Sequence, residues 1–402
     1  MPGLSTQSAE LLAQLQQCAT EPPERAHTMP PALYSSDEIH RLELENIFAE
    51  EWHCPGLAAE IANPGDFITY SIGTQSVLTV RLRDGTITSY SNVCRHRMMT
   101  LLEGRGNVRK IVCPYHAWTY DLDGRLIGAG HMQRTQNFNK EEYCLPEIRT
   151  EVWNGWIYIT LNPDVPSVAR RLEPLRHWID RYEPAGYVPV IHQDQAWKTN
   201  WKLLAENFLE GYHAHAVHRE TVGTGFSPES LIFPEQNHDA FTYQLFTKDE
   251  RARYGRAHID NKRLTDHWRY TSILPIVYPA HLFSLAPDYL WYLSLRPNGP
   301  GEVLVRIGVA LAPEVYAALP DKEEFLGSFA GFFDKVNAED RAVVEGIYRG
   351  SLAPLAEAGP LSWLERNVYD FMCYLSRQLP HPGKVRHRPV GEQSAADGIQ
   401  GQ

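Results

Sequence analysis

The sequence predicts an α+β protein of two domains: a small antiparallel β domain, then a larger domain whose antiparallel sheet is flanked by helices. Three observations carry this expectation. At 402 residues the chain is long for one compact domain and long enough to bury two well-developed cores. Between about residues 65 and 165 the apolar residues fall in short alternating runs split by Gly-containing turns, the pattern of half-buried strands. Beyond about residue 184, helical stretches and apolar strand-like runs occur together.

Composition narrows the function classes. Hydrophobic residues at 43% and charged residues at 22% are ordinary for a soluble globular protein, so neither a fibrous nor a disordered chain is expected. A net charge of −11 without a basic cluster argues against a nucleic-acid partner. No stretch is long and apolar enough to span a bilayer, so no membrane partner is expected. Met1 to Cys18 has neither a basic start nor an apolar core and does not read as a signal peptide, which leaves a cytoplasmic location as the expectation. Four cysteines, Cys18, Cys54, Cys144 and Cys373, show no paired spacing and read as free thiols in a reducing compartment.

Taken in order, Pro22, Pro23, Pro30 and Pro31 predict that residues 1–30 form a flexible arm without an early helix. Ser35-Ser36-Asp37-Glu38 reads as a capping box opening a helix with Leu44, Ile47 and Phe48 on one face. This arm and helix, residues 1–50, are expected to pack on the larger domain. Residues 51–165 form the β domain, with strands at Phe67 to Tyr70 and Val77 to Leu82 and hairpin turns at Asp123-Gly124 and Asn154-Gly155. Pro163 to Glu183 connects the domains through a helical segment. The larger domain, residues 166–385, has a helix from Trp201, strands from about 277 to 311 and a helix from about 321 to 350. Tyr289 to Tyr292 and Val303 to Arg306, joined by Pro297-Asn298-Gly299-Pro300-Gly301, are a hairpin candidate. Residues 386–402 lack periodicity and are expected to be a mobile tail. No internal repeat is visible.

Two tight loops concentrate the chemistry: Cys94-Arg95-His96, sixteen intervening residues, then Cys113-Pro114-Tyr115-His116. One Cys and one His from each loop make the ligand set in which two imidazoles replace two thiolates on one iron of a [2Fe-2S] cluster. Structural zinc also takes two Cys and two His, but its usual pairs are separated by two to four residues rather than one. Trp118 and Tyr120, just beyond, read first as core aromatics of a strand and second as a shield for the cluster.

Followed by Ala117-Trp118, these loops resemble the cluster-binding loops of Rieske non-haem iron oxygenases, and also those of small Rieske ferredoxins. The segment Glu206 to His218 separates the two, because it holds three histidines and two acids in thirteen residues. A ferrous site that activates O₂ commonly uses two histidines and one carboxylate on one face, leaving positions open beside the substrate. On a straight helix His213 and His218, five apart, lie about 140° out of register, so a bulge or helix end between them is required. From the residues alone His215 is an alternative ligand.

The resemblance supplies what local spacing leaves open. The segment is similar to the oxygenase motif Asn-x-x-Glu/Asp-x-Tyr-His-x4-His, which here picks Asn207, Glu210, Tyr212, His213 and His218 and leaves His215 outside the ligand set. It implies that His213 and His218 bind iron and that Asn207, Glu210 and Tyr212 have catalytic roles. Glu339-Asp340 through Glu345 looks like the family's third-ligand helix and implies Asp340 on iron, with Glu339 its rival. The implied cofactors are a [2Fe-2S] cluster held by Cys94, His96, Cys113 and His116, and a mononuclear Fe(II), with O₂ as co-substrate.

Family members form rings, commonly trimers, in which the cluster of one subunit faces the mononuclear iron of the next. Carried over, Glu210 joins His116 of a neighbouring subunit to its own His213, a carboxylate that fixes the imidazole and couples the sites. Most members have Asp here, and Glu210 is shared with a subset acting on carnitine and other quaternary ammonium compounds. Many of those carry Cys where this chain has Ala214. No Gly-x-Gly-x-x-Gly opens a βαβ unit and no four-cysteine ferredoxin pattern is present. A separate NAD(P)H-dependent flavin or iron-sulfur reductase is therefore implied, with or without a ferredoxin between.

The resulting expectation is the terminal oxygenase of such a system. Its expected substrate is an N-methylated or quaternary ammonium compound, demethylated at nitrogen or hydroxylated at carbon, with an aromatic acid as the alternative. Phe208, Tyr212, Trp268, Tyr289, Trp291 and Tyr292 could supply a cation-π cage, though half or more of them should be core. A Rieske electron carrier would leave the residues from 200 to 345 unexplained, and a zinc-stapled binding protein would be colourless.

Overall fold

The computed structural model describes residues 4–223, 226–249 and 252–380. The expected tail, 386–402, lies outside the described residues.

The first domain is built on a seven-stranded antiparallel sheet. Asp66–Ile72, Gln75–Arg81 and Ile87–Ser91 form a meander, with Arg105–Asn107 at one edge. On the other side Glu147–Trp153, Trp156–Thr160 and His53–Leu57 complete it. The predicted turn at Asn154-Gly155 joins two of these strands directly, pairing Trp153 with Trp156. Both turn residues have positive φ, 50° and 84°, the geometry that makes a two-residue hairpin follow the sheet's twist. A separate three-stranded sheet, Ile111–Val112, Thr119–Tyr120 and Leu126–Gly128, carries the second cluster loop and closes through the Asp123-Gly124 turn.

In the second domain a six-stranded antiparallel sheet runs in the order Val188–Trp197, Val303–Leu311, Tyr289–Pro297, His281–Leu285, Thr271–Val277 and Phe241–Thr247. The hairpin candidate is present, paired from Tyr289↔Leu311 to Pro297↔Val303. Its strands are mostly apolar because both faces are largely buried, with Ser294, Arg296 and Arg306 the polar exceptions. Tyr289, Trp291, Leu293 and Leu295 pack with Trp201, Phe333 and Phe371 of the helices Trp201–Leu209, Lys322–Ser351 and Arg366–Gln378. Leu290 and Tyr292 turn the other way, toward Trp156 and Tyr158 of the first domain.

Two expectations are corrected. Residues 1–30 are not a flexible arm without helix: Thr6–Thr20 is a helix burying Ser8, Leu11, Leu12 and Leu15, and it packs against Arg366–Gln378. The prolines begin at Pro22, after its C-cap Glu21, so they end the helix rather than prevent it. The capping box at residues 35–38 is also absent. Ser36, not Ser35, caps the helix Asp37–Glu43 by accepting the Ile39 N–H at 3.3 Å, while the Glu38 carboxylate accepts the Ser5 N–H at 3.2 Å.

The domains are tied by Glu60, whose side chain is fully buried. It accepts hydrogen bonds from Arg105 Nη1 at 2.8 Å, in the first domain, and from the Tyr292 hydroxyl at 2.6 Å, in the second. His192 Nδ1 lies 3.4 Å away. Removing one member of such a group leaves a charge without its partner. Glu60→Ala is expected to cost about 3 kcal/mol, seen as a lower urea midpoint at unchanged slope.

Candidate metal centres

The two cluster loops share one backbone design that their sequences conceal. Cys94 N–H donates to the Met99 carbonyl at 2.8 Å and accepts at its own carbonyl from Met98 N–H at 3.0 Å. Cys113 repeats this with Trp118 at 2.8 Å and Ala117 at 3.0 Å. The fourth residue after each Cys is in the left-handed region, Met98 at φ 58° and Ala117 at φ 54°. Each loop thus turns its sulfur inward, leaving Cys94 and Cys113 both 2% exposed, while His96 and His116 stand at the surface.

The two imidazole centroids are 4.8 Å apart. Trp118 stacks on His96 at 4.8 Å and 9°, and the Tyr120 hydroxyl lies 3.4 Å from Cys94 Sγ while accepting the Arg95 N–H at 3.0 Å. Both aromatics therefore touch the ligand loops, beyond the core role weighted first from sequence. Burial pushes the Cys94 thiol up, and the Tyr120 hydroxyl pulls against that shift. Buried thiols and outward imidazoles fit a cluster whose histidine-bound iron faces the surface.

The second site forms where the helix Trp201–Leu209 ends. Glu210 is extended, at φ −126° and ψ 148°, and a single helical turn, Ala214–Val217, follows, with His213 as its N-cap and His218 as its C-cap. That break brings the two imidazoles together, with centroids 5.1 Å apart. Asp340 arrives from the long helix Lys322–Ser351, and one ligand atom from each of His213, His218 and Asp340 lies within 4.8 Å of the others. Asp340 Oδ1 is 3.0 Å from His218 Nε2 and 3.5 Å from His213 Nε2.

The outward nitrogens are held by carboxylates. His213 Nδ1–H donates to Glu210 Oε1 at 2.5 Å, and His218 Nδ1–H to Glu339 Oε2 at 2.8 Å, which also accepts the Thr221 hydroxyl at 2.7 Å. Glu339, the rival ligand, thus stands behind His218 while Asp340 stands in front. Burial disfavours charge on His213, but Asp340 and Glu210 outweigh it and hold its pKa at about 10. Burial likewise raises the Asp340 carboxyl, yet the two imidazoles leave it below the ordinary range. Three carboxylates around two imidazoles favour a cation at the centre, and two histidines with one carboxylate is the donor set for non-haem iron.

Glu210, His213 and Asn207 form a wall between two cavities. The larger, about 490 Å³, lies toward Tyr34, Glu206 and Ile347. The smaller, about 80 Å³, contains His213, His218 and Asp340 together with Ala214. Of the six aromatics proposed for a cage, Phe208, Tyr289 and Trp291 line this cavity. Trp268 packs with Trp178 and Tyr182, and Tyr292 is spent on Glu60. Tyr212 is 49% exposed, 6.0 Å from the His215 ring, and lines neither cavity, so the structure does not bring it to the site. His215 is exposed.

Sequence reading missed Gln244, Phe246 and Lys248, which also line the smaller cavity. Their alternate spacing marks one face of a strand, but nothing local says what that face meets.

The description "Rieske [2Fe-2S] domain" matches residues 51–139, and "Ring hydroxylating alpha subunit (catalytic domain)" matches residues 179–381. The glycine betaine monooxygenase oxygenase subunit of Pseudomonas aeruginosa is 34% identical over 223 residues, 55% of this chain and 52% of that protein. The chain thus spans about half the length of this relative. Among solved structures, the quaternary ammonium Rieske monooxygenase CntA superposes with a TM-score of 0.78 at 21% identity, covering 91% of this chain and 98% of that one. Naphthalene 1,2-dioxygenase from Rhodococcus sp. reaches 0.76 at 22% identity, covering 93% and 98%, so the fold does not choose between these chemistries. The chain belongs to the family of ring-hydroxylating α subunits, with a Rieske [2Fe-2S] domain ahead of a mononuclear-iron catalytic domain.

Proposed function

We propose that this chain is the terminal oxygenase of a multicomponent system and hydroxylates a small N-methylated or quaternary ammonium substrate beside the iron. The observation that carries this reading is the convergence of His213, His218 and Asp340 at the wall of a cavity that Phe246, Tyr289 and Trp291 also line. When bound, the cluster and the ferrous iron supply electrons and the activation of O₂. Glu210 and Glu339 hold the outer nitrogens of His213 and His218, so each ring turns Nε2 inward. The cavity aromatics exclude water and offer ring faces to methyl groups on a cationic nitrogen.

Electrons come from a separate NAD(P)H-dependent reductase, with or without a ferredoxin between. Three copies form a ring in which His116 of one copy donates to Glu210 of the next. The surface position of His116, and of Glu210 on a cavity wall, supports this pairing.

Hydroxylating an N-methyl carbon gives a hemiaminal that collapses to formaldehyde and the demethylated amine. With reductase, NADH and O₂, a panel of betaines, carnitine and aromatic acids is expected to show oxygen uptake driven by a quaternary ammonium compound, with product of the matching mass. Formaldehyde accompanies N-demethylation and is absent if another carbon is hydroxylated. Coupled uptake with an aromatic acid and none with any betaine would overturn the substrate class while leaving the oxygenase intact.

A further inference from the structure

The catalytic cavity holds a cation of its own. Gln244, Phe246 and Lys248 follow one another at the strand period on the edge strand Phe241–Thr247 and just past it, so all three side chains leave the same face. Lys248 is 5% exposed. Its ammonium lies 5.7 Å from the centre of the Phe246 ring and 6.0 Å from that of Tyr289, both cavity residues. Among the described residues it donates to the Tyr254 carbonyl at 3.3 Å and forms no ion pair. Asp288, which feels its charge, uses both oxygens on the Gly255 N–H at 2.9 and 2.8 Å. Gly255 is required there: a Cβ would come within 2.8 Å of the Lys248 stem, and φ is +95°.

Two neighbours are also unsatisfied. Gln244, 2% exposed, has a buried amide oxygen without a partner, and Trp291, 7% exposed, has an indole N–H without one. Buried polar groups are normally paired, so three under-used groups on one cavity wall indicate a ligand that pairs them. Lys and Trp only donate, and the Gln amide does both. An acceptor with negative charge pairs the two donors, Lys248 and Trp291, whereas the Gln244 oxygen, itself an acceptor, needs a donor and takes no part in holding an anion; a purely cationic ligand would meet the ammonium.

We propose that Lys248, with Trp291, forms an anion subsite that takes the carboxylate of the substrate, so that the enzyme acts on a zwitterionic betaine rather than a simple cation such as choline. This deepens the proposed function and rests on it for the ammonium end of the substrate. The carboxylate end rests on the cavity alone.

The test is calorimetric titration of the iron-loaded enzyme, without reductant, with two pairs of ligands: glycine betaine and its methyl ester, and benzoate and benzamide. At least one carboxylate is expected to bind about tenfold or more tightly than its uncharged-end counterpart, as a charged hydrogen-bond set requires. That preference is expected to vanish in Lys248→Met, which keeps the buried stem. A preference shown by benzoate while betaine fails to bind would uphold the anion subsite and remove the quaternary ammonium reading. No preference for either carboxylate in the wild-type protein would overturn the subsite, whether or not the variant folds. An equal preference in Lys248→Met would overturn the role of Lys248.

Discussion

Asp340→Ala is expected to keep the brown colour of the cluster and to lose both the mononuclear iron and all product. Among the described residues Asp340 is the one carboxylate whose oxygen lies within reach of both inward nitrogens, 3.0 Å from His218 Nε2 and 3.5 Å from His213 Nε2. Glu339 cannot take over, because it is engaged with His218 Nδ1 and Thr221 on the far side of the ring. Iron per chain should fall from about three to about two, with the Rieske-type electron paramagnetic resonance signal unchanged. Metal analysis that still found the third iron in the variant would move the ligand elsewhere, with Glu339 the first residue to examine.

The next largest effect is expected from Glu210→Gln. The amide oxygen can still accept the His213 Nδ1–H bond made in the wild type at 2.5 Å, so the ring keeps its orientation and the iron is largely retained. What disappears is the negative charge between the two cavities, where a neighbouring His116 would donate. Product formed in a single turnover from the reduced protein should fall about 10–100-fold, as for other carboxylates behind metal-bound histidines. An unchanged single-turnover yield, with cluster and iron intact, would end the bridging role.

The parts of the site that were legible in the sequence are those whose geometry is local. Cys94 with His96, and Cys113 with His116, lie within one turn of chain, so residue type and spacing alone identify a ligand set. Even there the shared loop design stayed hidden, because it consists of main-chain hydrogen bonds and the left-handed Met98 and Ala117, and neither residue type advertises that conformation. The choice of His213 and His218 over His215 rested on resemblance, and the break required between them is the single turn Ala214–Val217. Asp340 depended on resemblance, since its distance in sequence from His218 gives no physical hint of contact.

Lys248, Gln244 and Trp291 could not be foreseen as a group. Their meeting requires a sheet of six strands in register, with Gln244 opposite Leu274 and Ser284 opposite Trp291. The N-terminal helix was missed for a different reason. The cluster Pro22, Pro23, Pro30 and Pro31 argues against an early helix, yet all four lie beyond its C-cap Glu21 and leave Leu11, Leu12 and Leu15 in place to pack.

The single turn between the two histidines also separates two kinds of mutational change. His215 and Ala216 point to solvent, so replacing either side chain leaves both imidazoles where they are. Inserting or deleting one residue is another matter, because each residue advances an α-helix by about 100° and about 1.5 Å. An indel would swing His218 away from Asp340 and Glu339 together, and no rotamer restores a displaced Cα. The loop is therefore permissive at these two positions and rigid in its length, and homologues with altered spacing here would need another way to present the second imidazole.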